Sequence, residues 1–168
     1  MVELRFITLE DTPLVVKWRN NPEVKKNFIC RNITGEDHEK WMRDHVSTGK
    51  VVQFIIELDN KPVGSVYLRD IDKKNNSAEL GIFIGEDSAR CKGIGKEAIN
   101  KAVEYGFTRL NLHRIFLRLL SGNDSAKRCY EKAGFKMDGI ARDMVYLDNE
   151  YKDIIFMSII ENGDNNSA

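Results

Sequence analysis

The chain has 168 residues, of which 42% are hydrophobic and 31% charged, a composition typical of one globular domain with its own core. Lysine plus arginine and aspartate plus glutamate both number 26, so no overall basic field attracts nucleic acid, and we expect no nucleic-acid partner. The three cysteines show no Cys-x-x-Cys spacing and no apolar run approaches ~20 residues, which together predict neither a zinc site nor a membrane span and favour a reducing cytoplasm.

The first half of the chain is predicted to contain two helices and four strands. Pro13 in a first turn is typical of a helix start, and the spacing Thr34-x-x-Asp37 is close to a capping box for a second helix. Alternating apolar residues predict the strands, three of which form a meander. In chain order, these elements are a strand at 4–8, a helix from 12 to about 20, a helix from about 35 to 49, and strands at 52–58, 63–68 and 78–84.

The second half is predicted to contain two more helices and three more strands. They are a helix from 94 to 110, an apolar strand at 113–120, a short helix from 124 to 133, and closing strands at 135–147 and 151–160. The order β-α-α-β-β-β-α-β-α-β-β predicts an α+β fold whose sheet is mixed, mostly antiparallel and seven-stranded, with helices on both faces. We therefore expect a single domain over residues 1–161 and a polar, frayed tail over 162–168.

The segment Arg90-Cys91-Lys92-Gly93-Ile94-Gly95 follows a predicted strand and opens the long helix. Unpaired N–H groups at a helix N-terminus attract anionic oxygens, and basic side chains add to that attraction, so this loop predicts a site for a pyrophosphate. The phosphate loop of nucleoside triphosphatases is excluded, because Lys96 is followed by Glu97 rather than Ser or Thr. The dinucleotide fingerprint lacks its ribose-binding acid, since 115–120 carries no carboxylate.

A second block follows about 30 residues later: Asn123-Asp124-Ser125-Ala126, then Tyr130-Glu131-Lys132-Ala133-Gly134-Phe135. Together with Arg-x-x-Gly-x-Gly in the loop, it resembles the Gcn5-related N-acetyltransferase (GNAT) superfamily and its acyl-CoA N-acyltransferase fold. The resemblance implies acetyl-CoA as acetyl donor, transfer directly to an amine acceptor, and no metal. It also implies that the strands near 78–85 and 113–120 are parallel but splay apart, which opens a cleft for the pantetheine arm.

The same resemblance implies roles for individual residues. Tyr130 would contact the cofactor and protonate the thiolate leaving group, and Glu79, a carboxylate at the start of the cleft strand, would take the proton of the amine. Glu57 and Asp70 are weaker candidates for that base. Asn123 would contact the pantetheine arm, cap a helix, or do both. The remaining cofactor-binding residues would be Ile82, Phe83, Ile84, Arg90, Cys91, Lys92, Gly93, Ile94, Gly95 and Lys96.

Acceptor specificity in this superfamily depends on the segment after the first helix and on the final strands. The substrate-binding candidates here are accordingly Trp18, Arg19, Asn20, Met144 and Tyr146. We interpret His38 as a surface residue of the second helix rather than as a base.

Two branches of the superfamily are similar in the region that includes Trp18 and Trp41: ribosomal-protein N-terminal acetyltransferases and nucleotide-amino-sugar N-acetyltransferases. The neutral net charge favours a small-molecule amine, such as an amino-sugar nucleotide or a polyamine-like compound. A protein N-terminus as acceptor, a non-catalytic CoA-binding sensor and a homodimer all stay open.

Overall fold

The computed structural model of the protein describes residues 1–29 and 32–162. Its strands are β1 Val2–Phe6, β2 Val52–Leu58, β3 Lys61–Asp72, β4 Ser77–Ile84, β5 Arg114–Leu120, β6 Lys136–Leu147 and β7 Glu150–Ile160. Its helices are α1 Thr12–Asn20, α2 Pro22–Lys25, α3 Gly35–Trp41, α4 Ile94–Arg109 and α5 Asp124–Lys132. Residues 163–168, which make up all but the first residue of the predicted tail, lie outside the described residues.

Local sequence signals explain where the helices begin. The predicted capping box at α3 is present, with the Thr34 hydroxyl accepting from Asp37 N–H at 3.1 Å and the Asp37 carboxylate accepting from Thr34 N–H at 2.8 Å. α3 then continues as a wide π-type turn over Met42–Val46. Among the described α-helices, only α2 was not predicted. There the Asn21 side chain accepts from Glu23 N–H at 3.0 Å and caps a short helix at the expected end of α1.

The seven strands form one sheet in the order β1-β2-β3-β4-β5-β7-β6, which confirms the predicted mixed, mostly antiparallel architecture. Among these neighbours only β4 and β5 are parallel. They are paired over only three residues each, Ser77–Glu79 with Arg114–Phe116, although β3 pairs with β4 as far as Ile84. The two strands therefore diverge beyond Glu79, as the family resemblance implied.

Helices cover both faces of the sheet, and each face has its own core. Phe54 and Ile56 of β2 lie in the core under α4 and α5, whereas Ile55 between them lies in the core under α1 and α3. α4 is the longest described helix at 16 residues, and none of the described helices has the length and apolarity required to cross a bilayer.

Candidate active site

The divergence of β4 and β5 opens a cleft of about 1130 Å³. One end of its wall is formed by the loop before α4 and by residues of α5, and the other by polar residues of β3, β4 and β5 together with α1 and α3. Ligand sites in open sheets are commonly found where neighbouring strands separate in this way. The cleft therefore joins the predicted anion-binding loop to the predicted base in one continuous space.

The anion-binding end is built on the N-terminus of α4. Gly93 precedes the helix with a φ of 78°, a left-handed conformation that glycine adopts without strain, and no side chain of the described residues caps the helix. The first helical hydrogen bond runs from Glu97 N–H to the Gly93 carbonyl at 3.2 Å, so the N–H groups of Ile94, Gly95 and Lys96 precede the helical ladder. These N–H groups and the helix dipole suit an anionic oxygen.

The side chains of this loop differ in their surroundings. Cys91, Gly93, Gly95 and Lys96 line the cleft, whereas Lys92 is exposed outside it. The Ile94 side chain is buried in the core under α4, so only its main chain is placed to contact a phosphate.

Arg90 supports the loop rather than pointing its whole guanidinium at a ligand. It donates to the main-chain carbonyls of Ile84 at 3.1 Å and Gly85 at 3.3 Å, and it forms an ion pair with Asp87. These bonds tie the end of β4 to the loop before α4. The role of Arg90 in direct phosphate binding stays a prediction, and its observed contacts are with the protein.

The free edge of β4 presents main-chain groups to the cleft. Gly85 N–H donates to the Val63 carbonyl of the β3 side at 2.8 Å, and hydrogen-bonding direction alternates along an antiparallel strand. Ile82 and Ile84 therefore direct their N–H and C=O groups away from β3, toward the cleft, whereas Phe83 directs its main chain toward β3. Of the three residues predicted to pair with a pantetheine chain, Ile82 and Ile84 face the cleft by this alternation, with the Ile84 carbonyl already bonded to Arg90.

Tyr130 and Asn123 both line the cleft from the α5 side. The Tyr130 ring packs against Phe135 with ring centroids 5.8 Å apart, and burial raises the pKa of its phenol well above the ordinary value. Tyr130 is therefore a neutral hydrogen-bond donor at neutral pH. Asn123 caps α5, because its side-chain oxygen accepts from Ala126 N–H at 3.4 Å, so the predicted capping role is confirmed.

Glu79 is buried at the opposite end of the cleft, with 5% of its surface exposed. The Arg69 guanidinium donates to its Oε1 at 2.9 Å, and the Arg118 guanidinium donates to the same oxygen at 3.1 Å. Oε2 takes no hydrogen bond from any residue in the described part of the chain and is left to accept from a ligand. The weaker base candidates lie elsewhere: Glu57 pairs with Arg5 on the outer strands, and Asp70 does not line this cleft.

The predicted acceptor residues are dispersed. Arg19 lines the cleft, but Trp18 is 1% exposed, lies against Gly85 and donates its indole N–H to Glu86 at 2.7 Å. This placement makes Trp18 a core residue, in contrast to its predicted contact with the acceptor. Asn20 is also engaged elsewhere, because its side chain exchanges two hydrogen bonds with the main chain of Ile33.

The two predicted acceptor residues of β6, Met144 and Tyr146, are 48% and 60% exposed and do not line the cleft. The Tyr146 ring lies against that of Tyr151 on the neighbouring strand. β6 is an edge strand of the sheet, one strand removed from β5, which explains why its side chains lie away from the cleft of their own chain.

The interpretation of His38 as a surface residue is wrong. His38 is 4% exposed and lines the cleft, and its Nδ1 lies 2.8 Å from the Thr12 hydroxyl. Its Nε2 is buried and has no hydrogen-bond partner in the described structure. Burial lowers the pKa of the imidazole, so His38 is neutral at neutral pH.

Sequence reasoning missed four polar residues that line the same cleft as Glu79, of which the two arginines contact it: Gln53, Tyr67, Arg69 and Arg118. Each of them lies on a strand that is otherwise largely apolar. Burying a polar side chain costs free energy unless it has a hydrogen-bonding partner. A polar residue inside a strand predicted to be buried is therefore the sequence signal that would have identified these four residues.

Residues 2–136 match the family described as Acetyltransferase (GNAT) domain. The chain belongs to the GNAT acetyltransferases. It is 30% identical to a spermidine N(1)-acetyltransferase of Vibrio cholerae over 160 residues, which cover 94% of this chain and 92% of that protein. It is 27% identical to the putative ribosomal N-acetyltransferase YdaF of Bacillus subtilis over 121 residues, which cover 72% of this chain and 65% of that protein.

A crystal structure of spermidine N-acetyltransferase from Vibrio cholerae in complex with CoA and spermine has a TM-score of 0.88 to this GNAT chain. The match covers 95% of both chains at 28% identity. The family resemblance, the acyl-CoA N-acyltransferase fold and the predicted enzyme class are thus confirmed. This chain is an N-acetyltransferase, and acetyl-CoA is its acetyl donor.

Proposed function

We propose that this N-acetyltransferase moves the acetyl group of acetyl-CoA directly to the primary amine of a small molecule. The single observation that supports it best is the cleft, which joins an α4 N-terminus suited to a pyrophosphate with the buried carboxylate of Glu79. A donor and an acceptor could both reach this space, so no covalent enzyme intermediate is needed.

The donor end fits acetyl-CoA in its charge and in its hydrogen-bonding groups. The N–H groups at the start of α4 and the cation of Lys96 suit the pyrophosphate. Ile82 offers main-chain groups on the unpaired edge of β4, where the amides of a pantetheine chain would act as an additional strand. A side chain at Gly95 would lie 3.8 Å from the Cys129 sulfur, which is an ordinary contact, so lack of space inside the protein does not require a glycine here. A glycine at this position would instead let a phosphate approach the main chain closely.

The chemistry requires a neutral amine and a protonated leaving thiolate. Glu79 can accept the amine proton at Oε2, while Arg69 and Arg118 hold Oε1 and fix the orientation of the carboxylate. Tyr130 can donate its phenolic proton to the thiolate sulfur. Because burial raises the pKa of Tyr130, this transfer is uphill in isolation and depends on positioning and on concert with C–S cleavage.

A small acceptor is supported by the burial of the end opposite the α4 loop. Glu79, Gln53 and His38 are 5%, 4% and 4% exposed. A protein N-terminus would have to insert an extended segment there, whereas a small amine could enter alone. The balanced charge of the chain likewise gives no long-range attraction for basic protein substrates.

The test is release of free CoA thiol from acetyl-CoA in the presence of separate amines. The panel contains spermidine, putrescine, an amino-sugar nucleotide, and a peptide with a free N-terminus. We expect turnover with at least one small amine and none with the peptide. Turnover only with the peptide would favour an N-terminal acetyltransferase. Thermal stabilisation by CoA without turnover on any amine would favour a sensor.

A homodimer and a cytoplasmic location stay predictions. Sedimentation equilibrium of the purified chain would test the first, and fractionation of cells would test the second.

A further inference from the structure

Two guanidiniums contact the buried carboxylate of Glu79 at its end of the cleft. Arg69 and Arg118 flank the single carboxylate, and Arg19 also lines this wall, with its guanidinium 3.8 Å from the centroid of the Phe28 ring. Two further acids, Glu23 and Asp37, line the cleft, but each is already engaged, Glu23 by Lys26 and Asp37 by Thr34. Among the described residues, Glu79 is thus held by two arginines, of which Arg69 also lies 4.0 Å from the carboxylate of Asp70.

Several donors of Arg69 and Arg118 have no hydrogen-bond acceptor among the described residues. Arg69 uses one terminal nitrogen for Glu79. Its buried Nε has no hydrogen-bond acceptor in residues 1–29 and 32–162, although the carboxylate of Asp70 lies 4.0 Å away. Arg118 uses its Nε for Glu79, and no residue in the described ranges accepts from its two terminal nitrogens, which are left for a ligand. The buried Nε2 of His38, on the same cleft, is likewise without a partner among the described residues.

Buried donors without acceptors are costly, and a guanidinium fork matches the two oxygens of a carboxylate or phosphate. We infer that the acceptor carries an anionic group, a carboxylate or a phosphate, close to its reactive amine, and that Arg69 and Arg118 bind that group. The inference rests on the proposed small-molecule acetylation. Under it, the amine lies at Glu79 Oε2 while the anion contacts the unused nitrogens.

A polyamine fits this end poorly. Its additional ammonium would approach the terminal nitrogens of the Arg118 guanidinium, and like charges at close range are unfavourable. The acceptor class of this chain would then differ from that named for its spermidine-acetylating relatives, which agrees with an identity of only about 30%.

The first experiment compares acceptors matched in size. Acetyl-CoA is supplied with 4-aminobutyrate, phosphoethanolamine, n-butylamine or putrescine, which present a carboxylate, a phosphate, no charge or an ammonium beside the amine. We expect kcat/KM for one of the two anionic amines to exceed that for n-butylamine by about tenfold or more, since a charged hydrogen bond is lost without the anion. Putrescine should be poorer than n-butylamine, and preference for putrescine would overturn the inference.

The outcome separates this inference from the proposed function. If CoA release is absent with every amine while CoA still raises the melting temperature, acetylation of small molecules fails. Thermal shift in the presence of CoA then tests the anion site directly: stabilisation by 4-aminobutyrate but not putrescine supports it, and the reverse order contradicts it.

The second experiment removes one guanidinium. Arg118→Gln should raise KM for the preferred anionic acceptor by roughly tenfold to a hundredfold, leave KM for acetyl-CoA unchanged, and reduce the preference over n-butylamine. The matched control is Arg114→Gln on the same strand, where the arginine pairs at the surface with Asp138 and should affect neither constant. If Arg118→Gln reduced kcat/KM for n-butylamine as much as for the anionic acceptor, Arg118 would only orient the Glu79 carboxylate and would not bind an anion.

Discussion

A methyl group at Gly85 should destabilise the whole protein, because the glycine lies directly against a buried tryptophan. A Cβ at position 85 would lie 2.0 Å from Cγ of Trp18 and 2.3 Å from its Cδ1. Carbon atoms in contact are separated by about 3.5–4.0 Å, so the ring would have to retreat by roughly 1.5–2 Å. Trp18 is 1% exposed and its ring contacts Phe83 edge-on at 6.2 Å, which leaves it no space.

The expected cost of Gly85→Ala has two parts. Overpacking a core of this kind costs about 1–3 kcal/mol. Displacing the indole also breaks its 2.7 Å hydrogen bond to the Glu86 carboxylate, which contributes roughly 1.5–3 kcal/mol. We therefore expect a loss of about 3–5 kcal/mol, and since 1 kcal/mol corresponds to ~2–4 °C in a domain of this size, Tm should fall by roughly 10 °C or more.

The assay is thermal and urea unfolding of Gly85→Ala beside a matched control, Gly35→Ala. A Cβ at Gly35 meets nothing within 4 Å, and alanine is the better helix former at this start of α3, so the control should be unchanged or slightly more stable. Trp18→Phe in the Gly85→Ala background should cost less than the sum of the single changes. A Gly85→Ala protein within about 1 °C of the parent would refute the packing argument.

Three further predictions concern the cleft. Tyr130→Phe should lower kcat by about 10²-fold with KM for acetyl-CoA unchanged, as steady-state kinetics would show; full activity would remove Tyr130 from the mechanism. Glu79→Gln should lower kcat/KM for the amine by about 10²-fold and change its pH–rate profile, and an intact profile would contradict its role as base. Burial lowers the pKa of His38 in the folded protein. As the pH falls below about 6.5, the imidazole therefore takes up a proton in the unfolded chain before it does so in the folded one, and the free energy of unfolding decreases. His38→Asn, whose amide can still reach Thr12, should flatten that loss in melting temperature between about pH 6.5 and 5, and an unchanged slope would exclude His38 as its cause.

The fold could be predicted because its signals are local. Apolar patterns, alternating in some strands and continuous in 113–120, located all seven strands. The Thr34–Asp37 spacing located α3, since a capping box depends on two residues of one turn. The extent of β3 was underestimated: it runs over Lys61–Asp72, because its later residues are held by pairing with β4 rather than by their own pattern. Strand pairing of this kind is a tertiary property.

The candidate site was harder to predict because it depends on contacts distant in sequence. Trp18 was expected at the acceptor, but its ring fills the space that Gly85 leaves open directly after β4. Arg90 was expected on a phosphate, but two carbonyls at the end of β4 lie within its reach. The pair of arginines at Glu79 comes from two strands, β3 and β5, whose juxtaposition no linear motif records.

The short pairing between β4 and β5 links the two ends of the cleft energetically. β4 is bonded to β3 along its length but to β5 over only three residues, so its remaining edge is restrained from one side. A donor lying along that edge would stiffen the strand that also bears Glu79. Acetyl-CoA and amine would then strengthen each other's binding by an equal factor, as thermodynamic reciprocity requires. In steady-state kinetics this coupling would be observed as ordered binding, in which acetyl-CoA binds before the amine.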